Sequence, residues 1–338
     1  MSDLVLLTGA SGFIAKHVAL DLLTSGYRVR GTLRNLDRSD EVHAALLEAG
    51  GDTTRLEFVR ADLGGDAGWA DAAAGCRFLV HTASPFPARQ PRDRFGLVPV
   101  ARDGALRAVG AALRAGAERI VLTSSVVAVY LGHESRADHV WSERDWSNVD
   151  GPGAHAYGVS KTEAERAAWA AVEAAGGAMV AVNPALVLGP LLDRRTGTSA
   201  DVVAMMMRGV MPAVPAVSFG IVDVRDVARA HVAALTATDA VGHRFILSGG
   251  TRSLLQLGAG IARAEPAYRR RVPRFALPDA LVRAAAAVIP SVRTLVPDLG
   301  RGKQFDTAPA ETILGLRFRP PEEAIAAMAK SLRRFRIV

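Results

Sequence analysis

Asp3-Leu4-Val5-Leu6-Leu7-Thr8, followed by Gly9-Ala10-Ser11-Gly12-Phe13-Ile14-Ala15, is the stretch whose reading decides the fold. It reads as an apolar strand, a glycine-rich turn and a helix that continues from Ile14 to Leu23 and stops at Ser25-Gly26. Strand, turn and helix in this order open a dinucleotide-binding βαβ unit. Gly9 permits the tight exit from the strand. Gly12 lets backbone approach a pyrophosphate, and Ala15 keeps helix and sheet close. The helix start then offers free N–H groups and a positive dipole end to phosphate. Gly9, Ser11, Gly12, Phe13 and Ile14 are therefore expected to touch the cofactor.

Working outward, strand and helix patterns alternate. Strands are expected at 28–33, 55–60, 77–82 and 119–123, and helices at 41–49, 66–74, 100–115 and from Tyr157 to Ala175. This alternation predicts an α/β fold, a Rossmann-type doubly wound parallel sheet. The 338 residues suffice for one large domain or two intimate lobes, and 49% hydrophobic against 22% charged residues argues for a packed core. Cys76 is the single cysteine, so an intramolecular disulfide or a cysteine zinc site is excluded and a reducing cytoplasm fits. No secretory leader pattern is visible at Met1-Ser2-Asp3. The apolar run Ala276 to Ile289 is interrupted by Asp279 and Arg283 and reads as an amphipathic or buried helix rather than a membrane span. The formal charge of +7 comes without a basic-aromatic nucleic-acid motif. A small-molecule enzyme is expected, with no nucleic-acid, membrane or metal partner, as a monomer or homodimer.

The second strand ends in Gly31-Thr32-Leu33-Arg34, with Arg38 four residues on. An acidic residue there would accept from a ribose 2′-hydroxyl and repel a 2′-phosphate; an arginine pairs with the phosphate. NADPH is expected over NADH. Asp62-Leu63, after the third strand, is a plausible cradle for adenine. Thr82-Ala83-Ser84, after the fourth, offers small residues where a dinucleotide crosses the sheet edge.

The chemistry is expected beyond the fifth strand, which ends in Thr123-Ser124-Ser125. Tyr157 and Lys161 are four apart and share a helix face. An ammonium beside a phenol is expected to lower its pKa from near 10 and ready it for proton exchange with a carbonyl oxygen, which Ser125 would orient. His155, two residues before Tyr157, is a candidate to line the same approach. Asp226 is expected to cap a helix, and Met205-Met206-Met207 to pack one.

In these segments the sequence resembles the extended short-chain dehydrogenase/reductases. Within them it is similar to the dihydroflavonol reductase, cinnamoyl-CoA reductase and aldehyde (methylglyoxal) reductase group. Asn183-Pro184-Ala185-Leu186-Val187-Leu188-Gly189-Pro190, Val222 to Ala228 and Leu314 to Pro320 extend the resemblance over nearly the whole chain. The resemblance implies Ser125, Tyr157 and Lys161 as catalytic residues. It also implies Pro184, Leu186 and Val187 beside the nicotinamide and Ser199 at the pyrophosphate. Residues 1–183, rejoined by about 219–250, would be the NADP-binding domain, and 184–338 the smaller C-terminal substrate lobe. The implied activity is reduction of an aldehyde or ketone by NADPH. The plant cinnamoyl-CoA signature of tryptophan and cysteine before the tyrosine is replaced by His155-Ala156, which argues for a plain carbonyl over a CoA thioester. The rivals are a sugar-nucleotide epimerase or dehydratase, a hydroxysteroid dehydrogenase, and a non-catalytic NADP(H) sensor.

Overall fold

The computed structural model describes residues 3–85, 91, 93–133 and 139–338. The first half runs β1 (Leu4–Thr8), α1 (Phe13–Thr24), β2 (Arg28–Leu33), α2 (Ser39–Glu48), β3 (Leu56–Arg60), α3 (Trp69–Ala73), β4 (Phe78–His81), α4 (Val98–Arg114) and β5 (Arg119–Thr123). It continues with α5 (Val127–Tyr130), β6 (Val140–Trp141), α6 (Ala156–Ala174), β7 (Met179–Pro184) and β8 (Leu186–Leu188). The expected strands 28–33 and 119–123 coincide with β2 and β5, and the other elements shift by a few residues.

Next come α7 (Thr198–Arg208), β9 (Ala213–Pro215), β10 (Ser218–Asp223), α8 (Val224–Thr236), β11 (Arg244–Leu247), β12 (Thr251–Ser253) and α9 (Leu254–Ala264). The chain closes with β13 (Phe275–Leu277), α10 (Asp279–Val288), α11 (Pro290–Arg293), β14 (Gln304–Phe305), α12 (Ala308–Ile313) and α13 (Pro321–Arg334).

Seven strands form one parallel sheet in the order β11-β7-β5-β4-β1-β2-β3. Strand order reverses between β1 and β4, so a crevice opens at their carboxyl ends. Both faces are covered, which explains the continuous apolar runs. Alternate side chains divide the work: Val5 and Leu7 pack with Val18 and Leu22 of α1 and Val227 and Ala230 of α8. Leu4 and Leu6 pack with Ala108 and Ala112 of α4 and Ala168 and Val172 of α6. Each fully buried Val or Leu contributes about 1.5–3 kcal/mol.

After Pro184 the chain leaves this sheet and builds a three-stranded sheet, β12-β10-β8. That sheet shares a second apolar core with α7, α9 and α13, including Met206, Met207, Ile261 and Met328. Of the methionine run, Met206 and Met207 are buried and Met205 is exposed. The chain returns to the main sheet through α8 and β11.

Two expectations need correction. The run from Ala276 is not one helix: residues 275–277 pair with β9, and Pro278 delays the helix to Asp279. Its inner side carries Val282 and Ala286, while Leu281 and Val288 are exposed. The cap of α8 is Asp223, whose carboxylate accepts from the Arg225 N–H at 2.9 Å. Asp226, one turn further in, is buried and accepts from the Arg319 N–H at 2.7 Å and from the Arg229 and Arg319 guanidinium groups. Short-range spacing does not separate a cap from a residue buried against a segment 93 positions away.

Candidate active site

The glycine turn is tight and closely approached by its neighbours. Gly9 has φ +67°, and a Cβ on it would lie 3.1 Å from Ala83. Its N–H donates to Thr32 Oγ1 at 3.0 Å. Gly12 is the N-cap of α1, with no side-chain cap and no acidic residue in the first turn. The first N–H groups are thus left to an external acceptor, and a Cβ on Gly12 would press on the Gly9 carbonyl at 3.2 Å. Gly31 of β2 makes room for the turn, since a Cβ there would stand 2.7 Å from that of Ala10.

Arg34 is exposed just beyond β2. Arg38 leans over the turn and donates to Ser11 Oγ at 3.1 Å, while pairing with Glu41 at 3.4 Å. Glu41 also pairs with Arg195, and the buried Lys16 with Asp193. These contacts join the α1–α2 edge to the segment after β8. His17 Nε2 lies 2.8 Å from the Pro190 carbonyl oxygen in the same seam. Ser199 stands in the first turn of α7, whose N-cap is Gly197.

At the sheet edge, Thr82 Oγ1 donates to the Thr8 carbonyl at 2.6 Å, and the Ala83 N–H to Thr8 Oγ1 at 3.0 Å. Thr8 Oγ1 also bonds His81 Nδ1 at 2.9 Å, so His81 serves the join of β1 and β4. The Asp62 carboxylate accepts from the Gly64 N–H at 3.0 Å, and Leu63 turns onto Gly104 of α4. Both have work in the turn whether or not they also meet adenine.

Ser125, Tyr157 and Lys161 come together at the carboxyl end of β5. Ser125 Oγ hydrogen-bonds the Tyr157 hydroxyl and lies 3.5 Å from the Pro184 carbonyl oxygen. That places Pro184 beside the pair, with Leu186 and Val187 following in β8. Lys161 Nζ donates to the Thr123 carbonyl at 2.9 Å. One electrostatic expectation is overturned. Burial pushes the Tyr157 hydroxyl up to about 12, opposed only by its hydrogen bond to Ser125. Desolvation of the phenolate sets this direction. Lys161 is itself pushed down to about 8 by burial, with Glu165 pulling the other way. His155 caps α6, accepting from the Gly158 N–H at 3.2 Å, and its ring stacks parallel to that of Tyr157, 6.5 Å away.

A cleft is lined by Tyr130, His133, Trp141, Asp298 and Lys303. Lys303 Nζ pairs with Asp298 at 2.6 Å and stands 4.3 Å over the Tyr130 ring. Residues 134–138 of the expected loop 131–154 lie outside the described residues. Sequence reading missed Lys303, and also Glu165, Asn183 and Arg244, which form a buried polar cluster behind Ser125. The spacing of Lys161 and Glu165 by four was the available signal. Among the described residues no three His, Cys, Asp or Glu side chains gather as a metal site, and no helix is long and apolar enough to cross a membrane.

The buried histidines make folding sensitive to acid. Burial pushes His17 and His231 down to about 4 and His81 to about 3. The unfolded chain therefore binds more protons, so their stabilisation is whole above the unfolded pKa and drains away as pH falls toward the folded values. By pH 5 each forfeits about 1–2 kcal/mol. Urea denaturation is expected to show a clearly lower midpoint at pH 5 than at pH 7.5; equal midpoints would contradict it.

Residues 5–248 match the model of the NAD dependent epimerase/dehydratase family. The chain belongs to this family. The match to the NAD dependent epimerase/dehydratase family includes the glycine turn, Ser125, Tyr157, Lys161 and Pro184. Similar relatives in it are cinnamoyl-CoA reductase 1 of Oryza sativa subsp. japonica, 37% identical over 249 residues, and cinnamoyl-CoA reductase 1 of Arabidopsis thaliana, 35% over 266 residues. The alignments cover 73% of this chain and 71% of the rice protein, and 78% and 75% for the Arabidopsis one. Among solved structures, the yeast methylglyoxal/isovaleraldehyde reductase complexed with NADPH superposes with a TM-score of 0.81 at 25% identity, covering 98% of this chain and 99% of that one. Vestitone reductase from alfalfa gives 0.75 at 25% identity, covering 99% of each. The likeness to these extended reductases, first carried by short motifs, thus extends over the whole fold.

Proposed function

We propose that the chain is an NADPH-dependent carbonyl reductase acting on aldehydes or ketones. The observation that carries this reading is the Ser125–Tyr157–Lys161 group at the crevice edge, with the tyrosine held as a neutral phenol. The residues present fit the cofactor. The uncapped start of α1 would take the pyrophosphate, Arg34 and Arg38 would pair with the 2′-phosphate, and the Pro184–Val187 segment would flank the nicotinamide. When bound, NADPH supplies the hydride.

The chain's own residues do the rest. Ser125 and Tyr157 present two hydroxyls to the substrate carbonyl oxygen and stabilise the charge that builds there. A phenol with a pKa pushed to about 12 is fully protonated at neutral pH, the form a donor needs. Tyr157 gives its proton to the nascent alkoxide, and the ammonium of Lys161 offsets the phenolate that remains. Residues 1–183 with 219–250 act as the cofactor half, and the remainder after 184 as the substrate cover. A reducing cytoplasm fits the free, buried Cys76.

The test is consumption of NADPH and NADH against aldehydes, α-dicarbonyls, aryl ketones, dihydroflavonols and an acyl-CoA thioester. Oxidation of NADPH by aldehydes or ketones, in preference to NADH, is expected. Conversion of a sugar nucleotide with no turnover across the carbonyl panel would overturn the reading.

A further inference from the structure

Glu165 lies one turn beyond Lys161 on α6, and its side chain is wholly buried. A carboxylate there needs compensation, and four elements supply it. Ser124 Oγ, at the end of β5, donates to Oε2. Asn183 Nδ2, on β7, donates to the same oxygen at 3.0 Å and to the Ser125 carbonyl at 3.2 Å. Arg244 Nε, on β11, donates to Oε1 at 2.6 Å, and Trp169 Nε1 reaches that atom at 3.4 Å. Arg244 is itself 6% exposed. It donates to the carbonyls of Ala128, Glu143 and Asp145 at 3.2, 3.0 and 2.6 Å, and its guanidinium carbon stands 3.7 Å over the Trp146 ring.

We propose that the Glu165–Arg244 pair is a positioning device that fixes the Ser125 turn, sets the electrostatic field at Lys161, and ties the 143–146 loop to both. The inference rests on the carbonyl reductase reading. A buried ion pair serves stability no better than a well-packed apolar pair would. What sets this one apart is where its bonds end. Ser124 and Asn183 are chain neighbours of Ser125 and Pro184, and the Asn183 amide also grips the Ser125 backbone. The groups facing the Lys161 ammonium are His81 from β4, the Thr123 carbonyl from β5, and Glu165 on α6; α4 presents Ala101 and Ala105. Glu165 is the carboxylate among them. Burial drives Lys161 toward its neutral form, and Glu165 opposes that drive.

The chain has four lysines, Lys16, Lys161, Lys303 and Lys330, so a lysine titration can be followed site by site. The experiment uses the full chain labelled with 13C at lysine Cε, as wild type, Glu165→Gln and Arg244→Lys, with Lys161→Arg to assign the signal. Glu165→Gln keeps the shape and an acceptor oxygen while removing the charge. Its Lys161 midpoint is expected to fall by about one pH unit or more. The alkaline limb of the kcat–pH profile should move with it, and kcat at neutral pH should drop about tenfold or more. The Kd for NADPH should change less than threefold. Arg244→Lys keeps a cation and is expected to restore most of the loop contacts, with a smaller fall in kcat.

Arg319→Lys, at the buried Asp226, is the control for a structural ion pair: Tm falls and the pH limb stays. A folded Glu165→Gln protein with an unmoved Lys161 midpoint overturns the inference. So does a pH limb that moves no more than in Arg319→Lys. The titration needs no turnover. A wild type that reduces no carbonyl overturns the proposed function, and the Lys161 midpoint still decides the positioning claim.

Discussion

Replacing Tyr157 by phenylalanine is expected to lower NADPH-dependent carbonyl reduction by about 10²–10⁴-fold, the range for losing a positioned acid. NADPH binding and Tm should stay near wild type. The ring remains, so its stacking on His155 is kept, and one hydroxyl leaves the pair with Ser125. No neighbour replaces it. Tyr130 is held protonated by burial, but it packs against Trp141, Phe305 and the Lys303 ammonium and is committed to the wall of the cleft. Steady-state kinetics should show the loss in kcat, with little change in KM. A variant within threefold of wild type would remove Tyr157 from the chemistry.

The second large effect concerns cofactor choice. A protein carrying Arg34→Ala with Arg38→Ala is expected to lose about 100-fold or more in NADPH affinity, because each charge-assisted bond to a phosphate is worth about 1.5–3 kcal/mol. NADH affinity should change little, so the ratio of the two dissociation constants reports the 2′-phosphate directly. Glu41 sharpens the expectation. It is shared by Arg38 and Arg195, so removing Arg38 leaves a carboxylate near the phosphate, still partly neutralised by Arg195. Calorimetric titration with both nucleotides measures this. Equal losses for NADPH and NADH would end the assignment of these arginines.

Much of the fold was legible because its causes are local. A fully apolar strand, a positive-φ glycine and an uncapped helix start leave marks within a dozen residues, and β1, the turn and α1 appear where the sequence put them. Ser125, Tyr157 and Lys161 were legible for a related reason: two are fixed by helix spacing and the third by the end of a strand. What could not be read depends on partners distant in sequence. The ammonium of Lys161 was expected to lower the tyrosine pKa, but burial by the surrounding fold decided the sign. Arg244 lies 79 positions from Glu165, and no periodicity links them. The three-residue strands β8, β9, β12 and β13 carry too little pattern to announce themselves, so the lobe after Pro184 was outlined from resemblance alone.

The seam between the α1–α2 edge and the segment after β8 includes two unlike ion pairs. Lys16–Asp193 is the inner one, with side chains 2% and 14% exposed, beyond the reach of mobile counterions. Arg195–Glu41 is the outer one, at 54% and 34%, where ordinary salt screens most of the attraction. Rising ionic strength therefore loosens the lip of the nucleotide crevice while its root stays fastened. The rates at which an anionic nucleotide binds and leaves are therefore expected to vary with ionic strength.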